Sequence, residues 1–308
     1  MRAPLACLAV LLLAACGGGD EAKSSDPGDT RTEIYAYDAD EPVAMQDAGR
    51  ANSDYPIEIH DVSFDGGAER VPGFLLLPPG KGPYPAVIYL HGSGGDRVEM
   101  VYTASWLAAR RAVALTVESP YSPNREIELG PGVEGLRKER NRTVQSVIEL
   151  RRAVDLLQSL PQVDDDRIGF VGYSAGARTG AILAGVEPRI KAFVFMSGGE
   201  DPVDEFLTLV QPDQKAEVRP LMEDTDGLHF VGQASPSKLF FQAGRNDQVV
   251  PRDALETLIK AGSEPKKVTW YDAGHDLAVP QAQRDQLNWL AQVLEIEGPP
   301  VEGAEAGP

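Results

Sequence analysis

Residues 169–177 read Gly-Phe-Val-Gly-Tyr-Ser-Ala-Gly-Ala and follow directly on Ile168. The apolar residues up to Val171 predict a buried strand, and the small residues beyond the serine predict a helix packed close to a sheet. The Gly-x-Ser-x-Gly pattern between them predicts a sharp turn, because its two glycines allow a strained backbone and leave room around the serine. Ser174 would then stand exposed at the turn. We therefore take Ser174 as a candidate nucleophile.

A serine hydroxyl needs a base that takes its proton and a carboxylate that orients the base. The chain has four histidines, and of these only His275 comes late enough for the order serine, acid, histidine. Asp247 follows the apolar run Leu239 to Gly244, at the carboxyl end of a predicted strand, where functional groups concentrate in α/β sheets. We predict Asp247 as the orienting acid and His275 as the general base. The competing acids are Asp253, Asp272 and Asp276.

The oxyanion that forms during acyl transfer needs N–H donors already in place. Ala175 supplies one because it follows the nucleophile directly. The second donor is expected in the loop His91-Gly92-Ser93-Gly94-Gly95, which follows a predicted central strand. Within this loop Ser93 is our first choice and Gly94 the second. We interpret His91 as an anchor of the loop through a hydrogen bond and not as a base.

The same loop does not match a nucleotide-binding site. The last glycine of a Gly-x-Gly-x-x-Gly pattern would fall on Arg97, and the chain has no Gly-x4-Gly-Lys-Ser/Thr segment. We therefore expect neither an organic cofactor nor a metal.

Apolar strand patterns alternate with amphipathic helix patterns along most of the chain. The helices are predicted at Thr143 to Leu160 and Gln281 to Leu294. The strands are predicted at Phe74 to Leu77, Ala86 to Leu90, Ala112 to Val117, Ile168 to Val171, Ala192 to Phe195, Leu239 to Gln242 and Val268 to Tyr271. This alternation predicts an α/β fold with a mostly parallel sheet and helices on both faces.

Four motifs occur in the order His91-Gly92-Ser93-Gly94-Gly95, Gly172-Tyr173-Ser174-Ala175-Gly176, Gly244-x-x-Asp247-x-x-Val250-Pro251 and Ala273-Gly274-His275. Together they resemble the α/β-hydrolase superfamily, most closely its dienelactone-hydrolase-like and acetyl-xylan-esterase-like branch, from Ile57 to Ile296. The resemblance implies hydrolysis of a small-molecule carboxylic ester through an acyl-enzyme. Dienelactone hydrolases generally use a cysteine nucleophile, so the serine in this chain favours an ordinary ester over a lactone.

Two long segments interrupt the alternation, at residues 118–142 and 198–238. Loops of this length in a compact domain are usually functional. We predict the second as a cap over the substrate pocket. The alternative is a peripheral helix whose apolar residues pack on the core.

Three other functions stay open on the sequence alone. They are a serine peptidase of the same fold, a thioesterase of the same fold, and a catalytically inactive surface binding protein. A peptidase of the prolyl-oligopeptidase type is disfavoured because too few residues precede the first predicted strand to form its propeller. An inactive binding protein would tolerate replacement of Ser174.

The amino terminus predicts export. Arg2 precedes the apolar run Leu5 to Ala15, and Leu13-Ala14-Ala15-Cys16 resembles the bacterial lipobox. The run is too short to span a bilayer, which is typical of a signal peptide. We expect cleavage after residue 15 and acylation of Cys16, with an ordinary cleaved signal and a free protein as the alternative. The anchored protein would lie on the outer membrane or on the periplasmic or extracellular face of the cell membrane.

These patterns divide the chain into four parts. They are a signal peptide at residues 1–15, a flexible tether and N-terminal extension at 16–50, the hydrolase domain at 51–296 and a disordered acidic tail at 297–308. The net charge is −18, and loss of Arg2 with the signal makes it −19. Such a charge makes nucleic acid an implausible partner.

The anchor prediction is testable by substitution of the two cysteines. We expect the full chain in a bacterial host to incorporate labelled palmitate and to sediment with membranes. Cys16→Ser should abolish both, whereas Cys7→Ser should leave both unchanged because Cys7 lies inside the signal peptide. Equal membrane association of the Cys16→Ser protein would contradict the prediction.

Overall fold

A computed structural model of the chain describes residues 30–125 and 128–298. The predicted signal peptide, the acylation site Cys16 and nearly all of the predicted acidic tail at 297–308 lie outside the described residues. Within the described ranges, no helix combines the length and the apolar composition needed to cross a bilayer.

The described residues form four consecutive strands, after which helices separate each strand from the next. The strands are β1 (Gln46–Arg50), β2 (Glu58–Asp65), β3 (Arg70–Leu77), β4 (Tyr84–Leu90), β5 (Val113–Val117), β6 (Val163–Tyr173), β7 (Ile190–Met196), β8 (Lys238–Gly244) and β9 (Lys266–Tyr271). The helices are α1 (Val101–Ala108), α2 (Gly132–Ser159), α3 (Ala175–Val186), α4 (Val203–Phe206), α5 (Lys215–Glu223), α6 (Gly227–Val231), α7 (Arg252–Ala261) and α8 (Pro280–Val293). Each of the seven strands predicted from apolar runs is present.

All nine strands belong to one sheet, in the order β1-β2-β3-β5-β4-β6-β7-β8-β9. The six strands from β5 to β9 in this order run parallel, and β1, β2 and β3 form an antiparallel edge. The predicted α/β class with a mostly parallel sheet is therefore confirmed. Because the parallel strands end at one edge, the loops after β4, β6, β8 and β9 meet there.

Helices cover both faces of the sheet, as predicted. Helices α2, α3, α6 and α7 pack on one face, where Leu150 and Val154 of α2 lie against Phe170 of β6. Helices α1 and α8 pack on the other face, through residues such as Leu107 and Leu290. All five side chains are fully buried. Each such burial is worth roughly 1.5–3 kcal/mol, so the two cores hold the strand ends in place.

Helix α2 begins earlier than predicted. It starts at Gly132 and not at Thr143, so the second part of the predicted insertion at 118–142 is helical. These first turns are polar and carry no apolar periodicity. They are held by tertiary contacts, such as the pair of hydrogen bonds from the Arg140 guanidinium to Asp224 Oδ2, just after α5, at 2.9 and 2.7 Å. Sequence periodicity does not reveal contacts of this kind.

The folded region also extends further toward the N-terminus than predicted. Tyr35 is fully buried, and Arg152 of α2 donates a hydrogen bond to the Glu41 carbonyl at 2.6 Å. Strand β1 pairs with β2. The predicted boundary at residue 51 therefore lies inside the sheet, and the tether predicted at 16–50 is packed on the domain from residue 31 onward.

A buried ion pair fixes the loop after β5. Arg125 donates to both carboxylate oxygens of Glu149 at 2.9 and 2.7 Å, and to the Glu118 carbonyl at 2.7 Å. The Arg125 and Glu149 side chains are only 8% and 1% exposed. Arg125 also pairs with Glu69, whose side chain is 56% exposed, so removing Glu149 takes away the buried partner and leaves the buried arginine only this exposed carboxylate.

We expect Glu149→Ala to lower the free energy of unfolding by about 3 kcal/mol or more. Glu256→Ala is the matched control, because Glu256 pairs with Arg252 on an exposed helix surface and such pairs contribute less than about 1 kcal/mol. Urea unfolding followed by circular dichroism measures both. Similar losses in the two variants would contradict this account of the buried pair.

Candidate active site

The turn at Ser174 has the strained geometry that the sequence predicted. Ser174 adopts φ +52° and ψ −114°, a conformation that a non-glycine residue rarely takes. A Cβ at Gly172 would lie 2.3 Å from the Gly176 carbonyl oxygen, and a Cβ at Gly176 would lie 2.5 Å from the Leu90 carbonyl oxygen. Both glycines are therefore required, because backbone occupies the space that a side chain would need.

The structure brings the three predicted catalytic residues together. His275 Nε2 lies 2.9 Å from Ser174 Oγ, and His275 Nδ1 lies 2.8 Å from Asp247 Oδ2. A carboxylate only accepts hydrogen bonds, so Nδ1 carries the donated proton and Nε2 is free to accept from the serine hydroxyl. The arrangement suits proton transfer from Ser174 to His275.

Asp247 is held in its ionised form. Its side chain is 2% exposed, and its Oδ1 accepts hydrogen bonds from the Val249 and Val250 backbone N–H groups at 2.8 and 2.9 Å. Burial alone would raise the pKa of Asp247, but the hydrogen bonds from His275, Val250 and Val249 outweigh it and lower the pKa below its usual value. The charge of Asp247 therefore contributes stability above the unfolded-state pKa, and this contribution is lost as pH falls through the lower folded-state pKa.

The competing acids make other contacts. Asp272 accepts a hydrogen bond from Asn246 Nδ2 at 2.8 Å, while Asp253 and Asp276 accept from backbone N–H groups close to them in sequence. Among the described residues, no group of three His, Cys, Asp or Glu side chains is placed to hold a metal ion.

Hydrogen bonds between loops set the position of His275. The Asn246 N–H donates to the Ala273 carbonyl at 3.0 Å, which joins the acid loop to the histidine loop. Ser197 lies fully buried at the end of β7, and its hydroxyl donates to the His275 carbonyl at 2.7 Å. Ser197 was not among the site residues predicted from the sequence. Its position directly after an apolar strand was the available signal, but the contact joins residues 78 positions apart.

Ser93 and Ala175, two of the predicted oxyanion donors, border one cavity. Ala175 is the first residue of α3, so its N–H has no acceptor within the helix. The Gly94 N–H instead donates to the Tyr121 carbonyl at 3.3 Å. Our second choice for the loop donor is thus engaged elsewhere, and the Ser93 and Ala175 amides stay the predicted donors.

The glycine-rich loop is fixed from two sides. Buried His91 accepts a hydrogen bond from the Ser119 N–H at its Nε2, and its Nδ1 donates to the Gly92 carbonyl at 2.7 Å. The predicted role of His91 as a loop anchor is confirmed. Glu99, which the sequence analysis did not single out, accepts from the Gly92 N–H at 3.1 Å. Both contacts hold the loop that carries Ser93.

Tyr173 packs against the imidazole of His275, with ring centroids 5.3 Å apart. Burial, together with smaller contributions from nearby carboxylates, first that of Glu99, raises the pKa of the Tyr173 hydroxyl to about 12. Tyr173 therefore stays protonated at neutral pH and limits the movement of the imidazole by packing.

A cavity of about 510 Å³ opens beside Ala175 and is partly walled by residues 198–238. Phe206, Leu221 and Met222 of this segment line the cavity, as expected of a cap. Phe230 and Val231 of α6 are instead fully buried in the core, as the alternative interpretation expected. The segment therefore combines a wall of the cavity with a helix of the core.

Comparison with known proteins gives a family match and several relatives. Residues 150–230 match the family model described as BAAT / acyl-CoA thioester hydrolase C terminal. Mouse acyl-coenzyme A thioesterase 3 is 27% identical over 89% of this chain and 66% of its own length. The chain thus spans less than two thirds of that relative.

Solved structures match this chain over a larger share of their own length than the thioesterase does. An acetyl xylan esterase from Paenibacillus sp. R4 superposes with a TM-score of 0.68 at 20% identity, covering 86% of this chain and 92% of that one. The chain has an α/β-hydrolase fold. A dienelactone hydrolase from Anabaena variabilis also matches, with a TM-score of 0.53 at 18% identity over 78% of this chain and 97% of that one. The fold predicted from the four motifs is confirmed.

The hydrogen bonds of Asp247 predict the effect of an isosteric change. In Asp247→Asn the remaining oxygen would still accept from Val249 and Val250, so the amide would face His275 Nδ1 as a donor. The imidazole would then carry its proton on Nε2 and could not accept from Ser174. We expect kcat for an ester to fall by about 10³–10⁴-fold, and the thermal unfolding temperature to fall modestly at neutral pH, because the stabilising charge of Asp247 is lost.

Asp272→Asn is the matched control and should retain activity within about threefold. Surface substitutions away from the hydrogen bonds among Asp247, His275 and Ser174 have small effects. Steady-state kinetics on both variants test whether Asp247 is the acid that orients His275. An Asp247→Asn enzyme as active as the Asp272→Asn enzyme would overturn the assignment of the orienting acid.

Proposed function

We propose that this α/β-hydrolase is a serine hydrolase that cleaves carboxylic esters through an acyl-enzyme, with Ser174, His275 and Asp247 as its catalytic triad. The observation that carries the proposal is the continuous hydrogen-bonded chain from Ser174 Oγ through His275 to Asp247, at 2.9 and 2.8 Å. The strained backbone at Ser174 adds support, since strain of this kind concentrates at functional sites.

In the proposed reaction Ser174 Oγ attacks the ester carbonyl carbon while His275 Nε2 takes the hydroxyl proton. His275 then returns this proton to the leaving oxygen, so the alcohol departs and Ser174 is acylated. Water attacks the acyl-enzyme in the second half, losing a proton to His275, which passes it to Ser174 as the carboxylic acid leaves. Asp247 stays ionised throughout and stabilises the imidazolium.

The Ser93 and Ala175 amides are the proposed oxyanion donors. Both residues border the same cavity. Fixed backbone donors stabilise a developing negative charge without reorganisation. Anchoring by His91 and Glu99 keeps the Ser93 amide in place. We expect these contacts to account for much of the rate enhancement.

A thioester is the second candidate substrate class. It is supported by the family match over residues 150–230 and by the thioesterase relatives. The esterase neighbours in structure support an oxygen ester. Both classes use the same acyl-enzyme chemistry, so the choice between them depends on the pocket.

We further propose that acylated Cys16 holds the enzyme on the membrane, with the catalytic domain outside the cytoplasm.

The proposal predicts hydrolysis of p-nitrophenyl acetate and butyrate by a soluble protein beginning at residue 30. Ser174→Ala should lower kcat by several orders of magnitude, on the order of 10⁴-fold or more, because the nucleophile is lost. Ser93→Ala is the matched control, since it makes the same side-chain change but keeps the backbone N–H, and it should retain most activity. Butyryl-coenzyme A, assayed beside the esters, tests the thioester.

Two outcomes would count against the proposal. Folded wild-type protein that is inert on both esters and thioesters would exclude it. Equal turnover by wild type and Ser174→Ala would assign any activity to another group.

A further inference from the structure

An ion pair stands in the cavity beside the proposed oxyanion donors. Arg178 Nε lies 3.1 Å from Glu200 Oε2, and Arg178 Nη2 lies 3.0 Å from Glu200 Oε1. This bidentate geometry fixes the guanidinium plane. The Arg178 side chain is 55% exposed within the cavity, whereas the Glu200 side chain is only 14% exposed. The pair therefore presents its arginine side to a bound ligand.

The pair is close to the proposed chemistry. Arg178 is on the first turn of α3, and its backbone N–H donates to the Ser174 carbonyl at 3.1 Å. The cavity that Arg178 lines is also bordered by Ser93 and Ala175. Glu200 takes Nε and Nη2, so the hydrogens of Nη1 are not used by this pair and remain for a substrate atom.

The charges around Arg178 decide which substrate atom suits it. Burial raises the pKa of Glu200, the charge of Arg178 lowers it, and the carboxylates of Asp226 and Asp201 raise it again. These two carboxylates also line the cavity. Arg178 is thus neutralised by Glu200, and the surplus charge near the pair is negative.

The other two arginines of the cavity do not change this balance. Arg140 donates to Asp224 through two nitrogens, and Arg142 pairs with Glu139 and stacks on the Tyr121 ring at 4.2 Å. Each arginine that lines the cavity in the described part of the chain therefore has its own carboxylate. An anionic ligand group would meet no uncompensated positive charge there and would lie close to Asp201 and Asp226.

We propose that the Arg178–Glu200 pair is a specificity determinant that binds an uncharged oxygen of the substrate, a hydroxyl or carbonyl, and excludes anionic groups. Arg178 Nη1 donates to the oxygen, and Glu200 cancels the charge that would otherwise attract a carboxylate or phosphate. The inference rests on the proposed ester hydrolase function. It favours neutral polar esters over thioesters of the polyanionic coenzyme A.

The test compares probes that differ by one group. In the acyl series, p-nitrophenyl butyrate is apolar, p-nitrophenyl methyl succinate carries a neutral oxygen and mono-p-nitrophenyl succinate carries a carboxylate. In the alcohol series, phenyl butyrate is compared with its 3-carboxyphenyl and 3-hydroxymethylphenyl analogues. The series in which kcat/KM changes with the added group shows whether the cavity binds the acyl part or the alcohol part of the ester.

We expect wild type to prefer the neutral-oxygen probe and to discriminate against the carboxylate probe in one series. Glu200→Gln removes the carboxylate that is paired with Arg178 and should improve kcat/KM for the carboxylate probe about tenfold, mainly through KM, which corresponds to about 1.4 kcal/mol. Arg178→Gln should lower kcat/KM for the neutral-oxygen probe about tenfold more than for the apolar probe, which has no oxygen for Arg178 to bind.

Glu256→Gln is the matched control, because it makes the same charge change at the exposed Arg252–Glu256 pair, which does not include cavity-lining residues. It should not alter selectivity. If it shifts selectivity as much as Glu200→Gln does, overall charge explains the effect and the inference is wrong. Thermal unfolding accompanies each assay, and Glu200→Gln carries the test if Arg178→Gln, which leaves the buried Glu200 carboxylate unpaired, does not fold.

The outcomes separate this inference from the proposed function. Active wild type whose selectivity is unchanged in Glu200→Gln and Arg178→Gln would overturn the specificity role and leave the hydrolase proposal standing. Wild type that hydrolyses none of the probes would overturn both.

Discussion

The candidate site depends on the close approach of two backbone segments at the centre of the parallel sheet. The turn after β6 touches the end of β4 so closely that glycine is required at residue 176, and the Gly176 backbone in turn lies so close to residue 172 that glycine is required there too. This contact keeps Ser174 in its strained conformation and brings α3 toward the glycine-rich loop. The cost of the strain is of order 1–3 kcal/mol, and the fully buried strands and helices on both faces offset it.

Around this point, polar contacts between loops replace the regular hydrogen bonding of the sheet. Ser197 holds the histidine loop, backbone N–H groups hold Asp247, and His91 with Glu99 holds the glycine-rich loop. These contacts come from the ends of different strands, so each loop is set against its neighbours rather than by its own sequence. A site built in this way is preorganised, because donors and acceptors are oriented before a substrate arrives.

The relatives and the structural neighbours divide between thioesters and oxygen esters, although they share the fold. A fold supplies the place for the chemistry, and the pocket selects the substrate. In this chain the pocket is formed by α2, α3 and the segment after β7, and its arginines are each matched by a carboxylate. Such a cavity is polar without being positively charged, and on this ground we propose that it disfavours a polyanionic substrate.

The sequence by itself determined the α/β class and seven of the strands, because these depend on local apolar patterns. It also determined Ser174, Asp247 and His275, which lie within hydrogen-bonding distance of one another, because they belong to motifs of fixed order. It placed the start of α2 too late and the N-terminal boundary too far along the chain, because ion pairs and buried tyrosine contacts hold those regions. Ser197, Glu99 and the Arg178–Glu200 pair came only from the tertiary structure. Their partners lie far away in the sequence or depend on how a loop turns, and no local pattern records such a distance.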